Sequence, residues 1–169
     1  MSTEIGSVLA SLEARSRRRV IAAEALRAPL AGLTGVHVEV EPVNVDAERD
    51  GLSRDGLRTD VESALREAGM TVVTQAALFA DVPGTPVLHV DVMTIRLDGR
   101  YAYSVRLELW QAVALVRAPG VQTLGLTWSA PQIVGTVAVE SIADLRDVVR
   151  AQAAGFVAEC RAATGGAGR

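Results

Sequence analysis

Four side chains that could bind a metal ion lie at alternate positions on two predicted strands, His37 and Glu39 on one and His89 and Asp91 on the other. Imidazole and carboxylate groups are common ligands of zinc and iron. If the strands are neighbours, all four side chains could share one sheet face, because alternate residues of a strand point the same way. The alternative is the solvated face of an antiparallel sheet, where opposite charges pair across strands without a ligand. We favour this alternative, which predicts no bound metal and no cofactor.

Nucleophilic catalysis has little support in the sequence. There is no G-x-S-x-G motif, and both histidines of the chain lie in the middle of predicted strands. Cys160 falls on the apolar stripe of the last predicted helix, which is typical of a buried, unreactive thiol. All 17 basic residues are arginine, so lysine chemistry is excluded. We therefore predict that the protein is not an enzyme.

Two features are candidates for binding a partner. The sequence RSRRR at 15–19 could bind a polyanion, or it could be a solvated helix face or a subunit contact. A net charge of −3 and the lack of interleaved aromatic residues argue against nucleic acid. A tryptophan on the outside of a sheet either marks a binding surface or covers a neighbouring apolar residue. The candidate residues are Arg15, Arg17, Arg18, Arg19 and Trp110.

The hydrophobic pattern predicts the elements that would position these residues. In order they are a helix, a strand, a helix capped by Ser53, a short strand, a hairpin, a strand broken by Pro131, and a last helix. Pro131 indicates that its strand is an edge strand or contains a bulge. Polar or turn-rich stretches at 44–51 and 79–86 are predicted loops. The predicted ranges are 3–28, 35–43, 52–70, 71–73, 87–116, 122–139 and 141–164.

The hairpin carries the strongest local signal, because Asp98-Gly99 is typical of a two-residue type I′ turn. With that turn, Leu97 lies opposite Arg100, and each step outward adds one pair. The predicted apolar face then holds Leu88–Leu109, Val90–Leu107, Val92–Val105 and Thr94–Tyr103. The predicted polar face holds Asp91 opposite Arg106, His89 opposite Glu108, and Val87 beside Trp110.

These elements predict an α+β fold, with a mostly antiparallel sheet of four to five strands, helices packed on one face, and an N-terminal helix. The predicted divisions are a helical appendage at 1–32, one α+β domain at 33–164 and a disordered tail at 165–169. The chain has 169 residues, 49% of them hydrophobic, which is enough for one sizeable core. A single cysteine excludes an intrachain disulfide. The sequence contains no run of 18 apolar residues, so no membrane span is predicted.

The compartment is open at this point. RSRRRV at 15–20 looks like the basic region of a signal peptide, but Glu24 and Arg27 interrupt the apolar stretch that should follow. The interruption argues against a working secretory signal and favours the cytoplasm.

The order of several segments resembles that of a group of uncharacterised small bacterial proteins, often exported, over about residues 35–164. The segments are GLSRDGLRTDVESALREAGMTVV, VLHVDV, YAYSVRLELWQAVALVR, LTW followed by GTV, and FVAECRAAT. The element order is also similar to the N-terminal domain of the Tol–Pal translocation protein and to the curli secretion lipoprotein. Both are cell-envelope assembly or interaction modules, so the resemblance implies the periplasm or cell envelope and carries no activity with it.

We therefore expect a non-enzymatic module that acts through protein–protein contacts, above all by self-association into a homo-oligomer. Addition of a strand to an exposed sheet edge is the expected mode of contact. Two alternatives stay open: a small-ligand or metal-binding domain that uses the outer sheet face or the loop at 79–86, and an enzyme whose pocket joins distant parts of the chain.

Overall fold

The computed structural model describes residues 25–166. Its six strands are β1 Gly35–Val40, β2 Thr71–Val72, β3 Val87–Leu97, β4 Arg100–Leu115, β5 Ala118–Ser129 and β6 Ile133–Ala138. Its α-helices are α1 Val45–Arg49, α2 Arg54–Glu67, α3 Gln75–Asp81 and α4 Leu145–Gly166, and 3₁₀ turns span Ala28–Leu30 and Val139–Asp144. No helix in this part of the chain is both long enough and apolar enough to span a membrane.

All six strands form one sheet in the order β2-β1-β3-β4-β5, and β6 also pairs with β4. The pairings of β4 with β3, β5 and β6 are antiparallel, whereas β1 is parallel to both β2 and β3. The prediction of an α+β fold with a mostly antiparallel sheet is confirmed, and the sheet has one strand more than expected. Because β5 pairs with the second half of β4 and β6 with the first half, the two strands together form one border of the sheet. We call this border the free edge, since β4 is the only strand partner of β5 and β6 within residues 25–166.

The hairpin turn has the predicted geometry. Asp98 and Gly99 both have positive φ, +39° and +77°, as a type I′ turn requires. The register that follows from this turn is confirmed along the whole of β3, from Leu97 opposite Arg100 to Val87 opposite Trp110. The predicted interruption of the strand at Pro131 is also confirmed, because Pro131 lies between β5 and β6.

Helices α2 and α4 cover one face of the sheet. The Ser53 side chain accepts a hydrogen bond from the Gly56 amide at 3.0 Å and caps α2, as predicted. Gly69, with a φ of +81°, follows the helix in the left-handed region where glycine is favoured. The buried stripe of α2 consists of Leu57, Val61 and Leu65.

The core lies between these helices and the sheet. Phe156 of α4 is fully buried and packs against Trp128 of β5, with ring centroids 5.0 Å apart. Leu30 is also fully buried in this core, although it lies in the segment that the sequence assigned to the appendage. Residues 1–24, which include most of the predicted N-terminal helix, lie outside the described residues.

Three local predictions were wrong. Residues 44–51 contain α1, which Asn44 caps by accepting from the Asp46 amide at 2.9 Å. The predicted loop at 79–86 begins inside α3, which Thr74 caps. The last α-helix begins at Leu145 and not at 141, because a 3₁₀ turn precedes it. Residues three apart lie on the same side of a 3₁₀ turn, so Ile142 and Leu145 are both buried in the core. That helix then runs to Gly166, into the predicted tail.

Candidate functional site

The face of the sheet opposite α2 and α4, called the outer face below, carries the polar residues that the sequence singled out. Burial alternates along the strands, so residues that point away from the core share this face. Glu41 follows the end of β1 and contacts the same face. The residues that define the outer face are His37, Glu39, His89, Asp91, Met93, Ile95, Arg106, Glu108, Trp110, Leu124, Leu126 and Val134.

One predicted charge pair on the outer face is confirmed. Arg106 donates two hydrogen bonds to Asp91 Oδ2, one of them from Nε at 3.1 Å. This hydrogen bonding raises the pKa of Arg106 above its ordinary value. Both side chains are partly exposed, so the pair is a surface salt bridge that needs no ligand to explain it.

His89 lies opposite Glu108 as predicted, but its side chain contacts glutamates of the neighbouring strand instead. Its Nε2 lies 3.4 Å from Glu39 Oε2, and its Nδ1 lies 3.4 Å from Glu41 Oε1. Glu108, the residue opposite in the hairpin, instead accepts a hydrogen bond from Trp110 Nε1 at 3.1 Å. The reason is that β1 runs beside β3 and brings its own glutamates to the histidine, which the hairpin register alone does not reveal.

The four metal candidates share a face but do not form one coordination set. His37 Nδ1 is 3.0 Å from the Val73 carbonyl oxygen, and Asp91 is held by Arg106. Only His89 and Glu39 approach each other. Within the part of the chain that the structure describes, no three histidine, cysteine, aspartate or glutamate side chains are grouped as metal ligands would be.

A shallow groove of about 560 Å³ crosses the middle of the outer face, and we call it the outer groove. Trp110 is half-buried at one end, its ring 6.1 Å from that of His89 in an edge-to-face arrangement. The His89 contacts place the Glu39 carboxylate beside the groove as well. The lining residues are Glu41, Pro42, His89, Asp91, Met93, Arg106, Glu108 and Trp110.

The outer groove is acidic. Among residues 25–166, the His89 ring lies 3.4 Å from the carboxylates of both Glu39 and Glu41, and neither glutamate forms a salt bridge with an arginine there. Glu108 accepts from an uncharged indole. Arg106 is hydrogen-bonded to Asp91 and also interacts favourably with the charge of Glu108, so two carboxylates at the groove, those of Glu39 and Glu41, lack an arginine partner within the described residues.

The free edge is uncharged and exposes several apolar side chains. No charged residue occurs in the 22 positions between Arg117 and Glu140, which include all of β5 and β6. Leu124 and Leu126 on β5 are 55% and 48% exposed, and Val134 on β6 is 70% exposed. Sequence reasoning did not identify these residues as functional, although the long uncharged run was visible and would have pointed to them.

The helix layer holds a different kind of polar group. Asp60 of α2 accepts from Arg146 Nε at 2.6 Å and from a second nitrogen of Arg146 at 3.0 Å, and Arg150 lies 3.3 Å away. These contacts, the Arg146 hydrogen bonds above all, lower the pKa of Asp60 below its ordinary value even though burial opposes the shift. The arrangement ties α2 to α4 and has the geometry of a structural ion pair.

A second polar contact ties α1 to the sheet. Tyr101 is fully buried and donates a hydrogen bond to Asp50 Oδ2 at 2.7 Å, and Arg96 donates to the same oxygen at 2.9 Å. Burial, followed by the contact with Asp50, raises the pKa of Tyr101 above its ordinary value. Each member of this cluster has a partner, so it too has a structural role.

The chemistry available in the described residues is limited. Cys160 is buried on α4 as predicted, and burial raises the pKa of its thiol to about 12, so the reactive thiolate is scarce at neutral pH. His37 contacts a carbonyl oxygen, and His89 contacts two carboxylates. Neither histidine is therefore paired with a hydroxyl or thiol that it could activate. Of the candidate partner-binding residues, Trp110 lies on the outer face, and Arg15, Arg17, Arg18 and Arg19 lie outside the described residues.

No family model matches the chain. Among solved structures, the chain is similar to the PelC dodecamer from Paraburkholderia phytofirmans, with 20% sequence identity over 77% of this chain and 89% of that chain, and a TM-score of 0.42. A match at that TM-score is a loose similarity of shape and carries no inference about function. The similarity to the Tol–Pal and curli proteins stays a prediction.

Proposed function

We propose that this protein is a non-enzymatic assembly module that self-associates through its free edge. The observation that carries the proposal is the edge itself: β5 has twelve residues, none of them charged, and its only strand partner within residues 25–166 is β4. An unpaired strand edge presents a row of backbone donors and acceptors that a second strand can satisfy.

Proteins that stay monomeric protect such edges with charged residues, prolines, bulges or a covering element. Here Pro119 and Pro131 lie near the two ends of β5, and no proline or charged residue lies between them. Bulges interrupt the pairing of β4 with β5 at Leu109/Trp110 and Ala114/Leu115. The stretch between these bulges keeps a regular register and offers the length for a second strand.

The side chains of the edge support the same conclusion. Leu124 and Leu126 point to the outer face at alternate positions of β5, and each is about half exposed. Removing apolar surface from water is favourable by roughly 25 cal/mol per Å². A second copy that adds its own β5 would cover these leucines while its backbone completes the sheet.

The test is the mass of the full chain in solution, measured by light scattering across a range of concentrations. We expect a homo-oligomer for the unaltered chain and a shift toward the monomer for Leu124→Lys with Leu126→Lys, because like charges would meet across the paired edges. The matched control is Ile95→Lys, since Ile95 is an equally exposed apolar residue on β3, away from the edge. A monomer at every concentration for the unaltered chain would overturn the proposal.

A further inference from the structure

We propose that the outer groove binds the arginine segment, residues 15–19, of a second copy of this chain. The inference rests on the proposed self-association and adds a specific contact to it. It also gives one role to two features that were separate in the sequence, the RSRRR cluster and Trp110.

The groove has the chemistry that a guanidinium group needs. Glu39 and Glu41 supply carboxylates without an arginine partner in the described residues, Glu108 supplies a third carboxylate, and Trp110 supplies a half-buried aromatic ring. Carboxylates bind guanidinium through two parallel hydrogen bonds, and aromatic faces stack on its plane. Met93 and Pro42 line the remaining wall, against which the arginine methylene groups would pack.

The charges of the two surfaces are complementary. Residues 25–166 contain seventeen aspartates and glutamates but twelve arginines, whereas residues 15–19 contain four arginines and no acidic residue. The short arginine segment therefore carries a charge opposite to that of the domain. An acidic, partly apolar groove selects such a segment over segments that are neutral or acidic.

The position at which the segment leaves the domain favours a contact between copies. Leu26 and Arg27 lie beside the end of β5, where they line a pocket with Trp128 and Ala130. The segment therefore departs at the free edge, where the second copy is proposed to bind. Six residue steps separate Arg19 from Ala25, and a fully extended chain covers at most about 3.3–3.6 Å per step, so the reach of the segment has an upper limit of about 20 Å.

Binding within one chain is less favourable on the same geometry. Trp128 pairs with Leu109 and packs on α4, so the chain enters on the helix side of the sheet. The outer groove lies on the opposite face, between β3 and β4. A segment that served its own groove would have to reverse its direction around the free edge to reach the opposite face of the same sheet.

The experiment compares three variants of the full chain by light scattering at low salt. The arm variant changes Arg15, Arg17, Arg18 and Arg19 to Gln, and the groove variant changes Glu39, Glu41 and Glu108 to Gln. The control variant changes Glu48, Glu67 and Glu140 to Gln, which removes the same charge from exposed positions outside the groove. We expect the arm and groove variants to raise the dissociation constant of the assembly about tenfold or more, and the control variant to leave it unchanged.

Mixing the arm variant with the groove variant tests whether the contact joins two copies. The arm variant keeps an intact groove, and the groove variant keeps an intact arginine segment. A mixture of the two should therefore associate more tightly than either variant alone. Failure to recover, while both variants dissociate alone, would overturn a contact between copies. A second outcome would overturn this inference and leave the proposed function standing: the arm and groove variants associate like the unaltered chain, while the variant with Leu124→Lys and Leu126→Lys dissociates. A monomeric unaltered chain would overturn both the inference and the proposed function. Circular dichroism of each variant establishes that it is folded.

Discussion

The two faces of the sheet are built from the same strands but serve different purposes. On β3, Leu88, Val90 and Val92 point inward and are buried beneath α2 and α4. Met93 and Ile95 point outward and are more than half exposed. Because successive side chains of a strand point to opposite faces of the sheet, one strand can contribute to the core on one side and to a binding surface on the other. The inner face therefore maintains the fold, and the outer face with its free edge is where we place the function.

The largest effect that tests this comparison is on stability. Phe156→Ala would empty a fully buried site beside Trp128 and should lower the free energy of unfolding by about 3–5 kcal/mol. Ile95→Ala, on the outer face, should change it by less than about 0.5 kcal/mol. Urea unfolding measured on both variants checks the contrast, and equal losses at the two positions would mean that the outer face is also part of the core.

A smaller effect separates the ion pairs of the two faces. Asp60→Asn removes hydrogen bonds to a charged group between α2 and α4 and should cost about 1–3 kcal/mol at pH 7. Asp91→Asn breaks an exposed pair and should cost at most about 1 kcal/mol.

The Asp60 contribution should depend on pH in a defined direction. Because the folded pKa of Asp60 lies below its unfolded value, the contribution is fully present above about pH 4 and is lost as the pH falls through the folded pKa. The stability curves of the unaltered chain and of Asp60→Asn should therefore converge on acidification. Curves that stay parallel down to acid pH would mean that the Arg146 contact does not stabilise the folded state.

The sequence predicted the parts of this comparison that are encoded locally. The Asp98-Gly99 turn determined the hairpin register, and with it which residues of β3 and β4 face the core. The partner of His89 was missed, because it depends on β1 lying parallel to β3 after a long crossover that no short motif specifies. Pro131 indicated an edge or a bulge near the end of β5, but the full extent of the free edge follows from the strand order and not from the residues of β5 and β6.

Amide hydrogen exchange of the unaltered chain is the sharpest test of whether the free edge pairs with a second copy. Exchange would be followed for β5 and for the interior strand β3 at low and at high protein concentration. We expect alternate amides of β5 to become protected as the concentration rises, because only those that point away from β4 gain a partner, while β3 is unchanged. Assembly at high concentration with no added protection in β5 would show that the copies do not pair through the free edge.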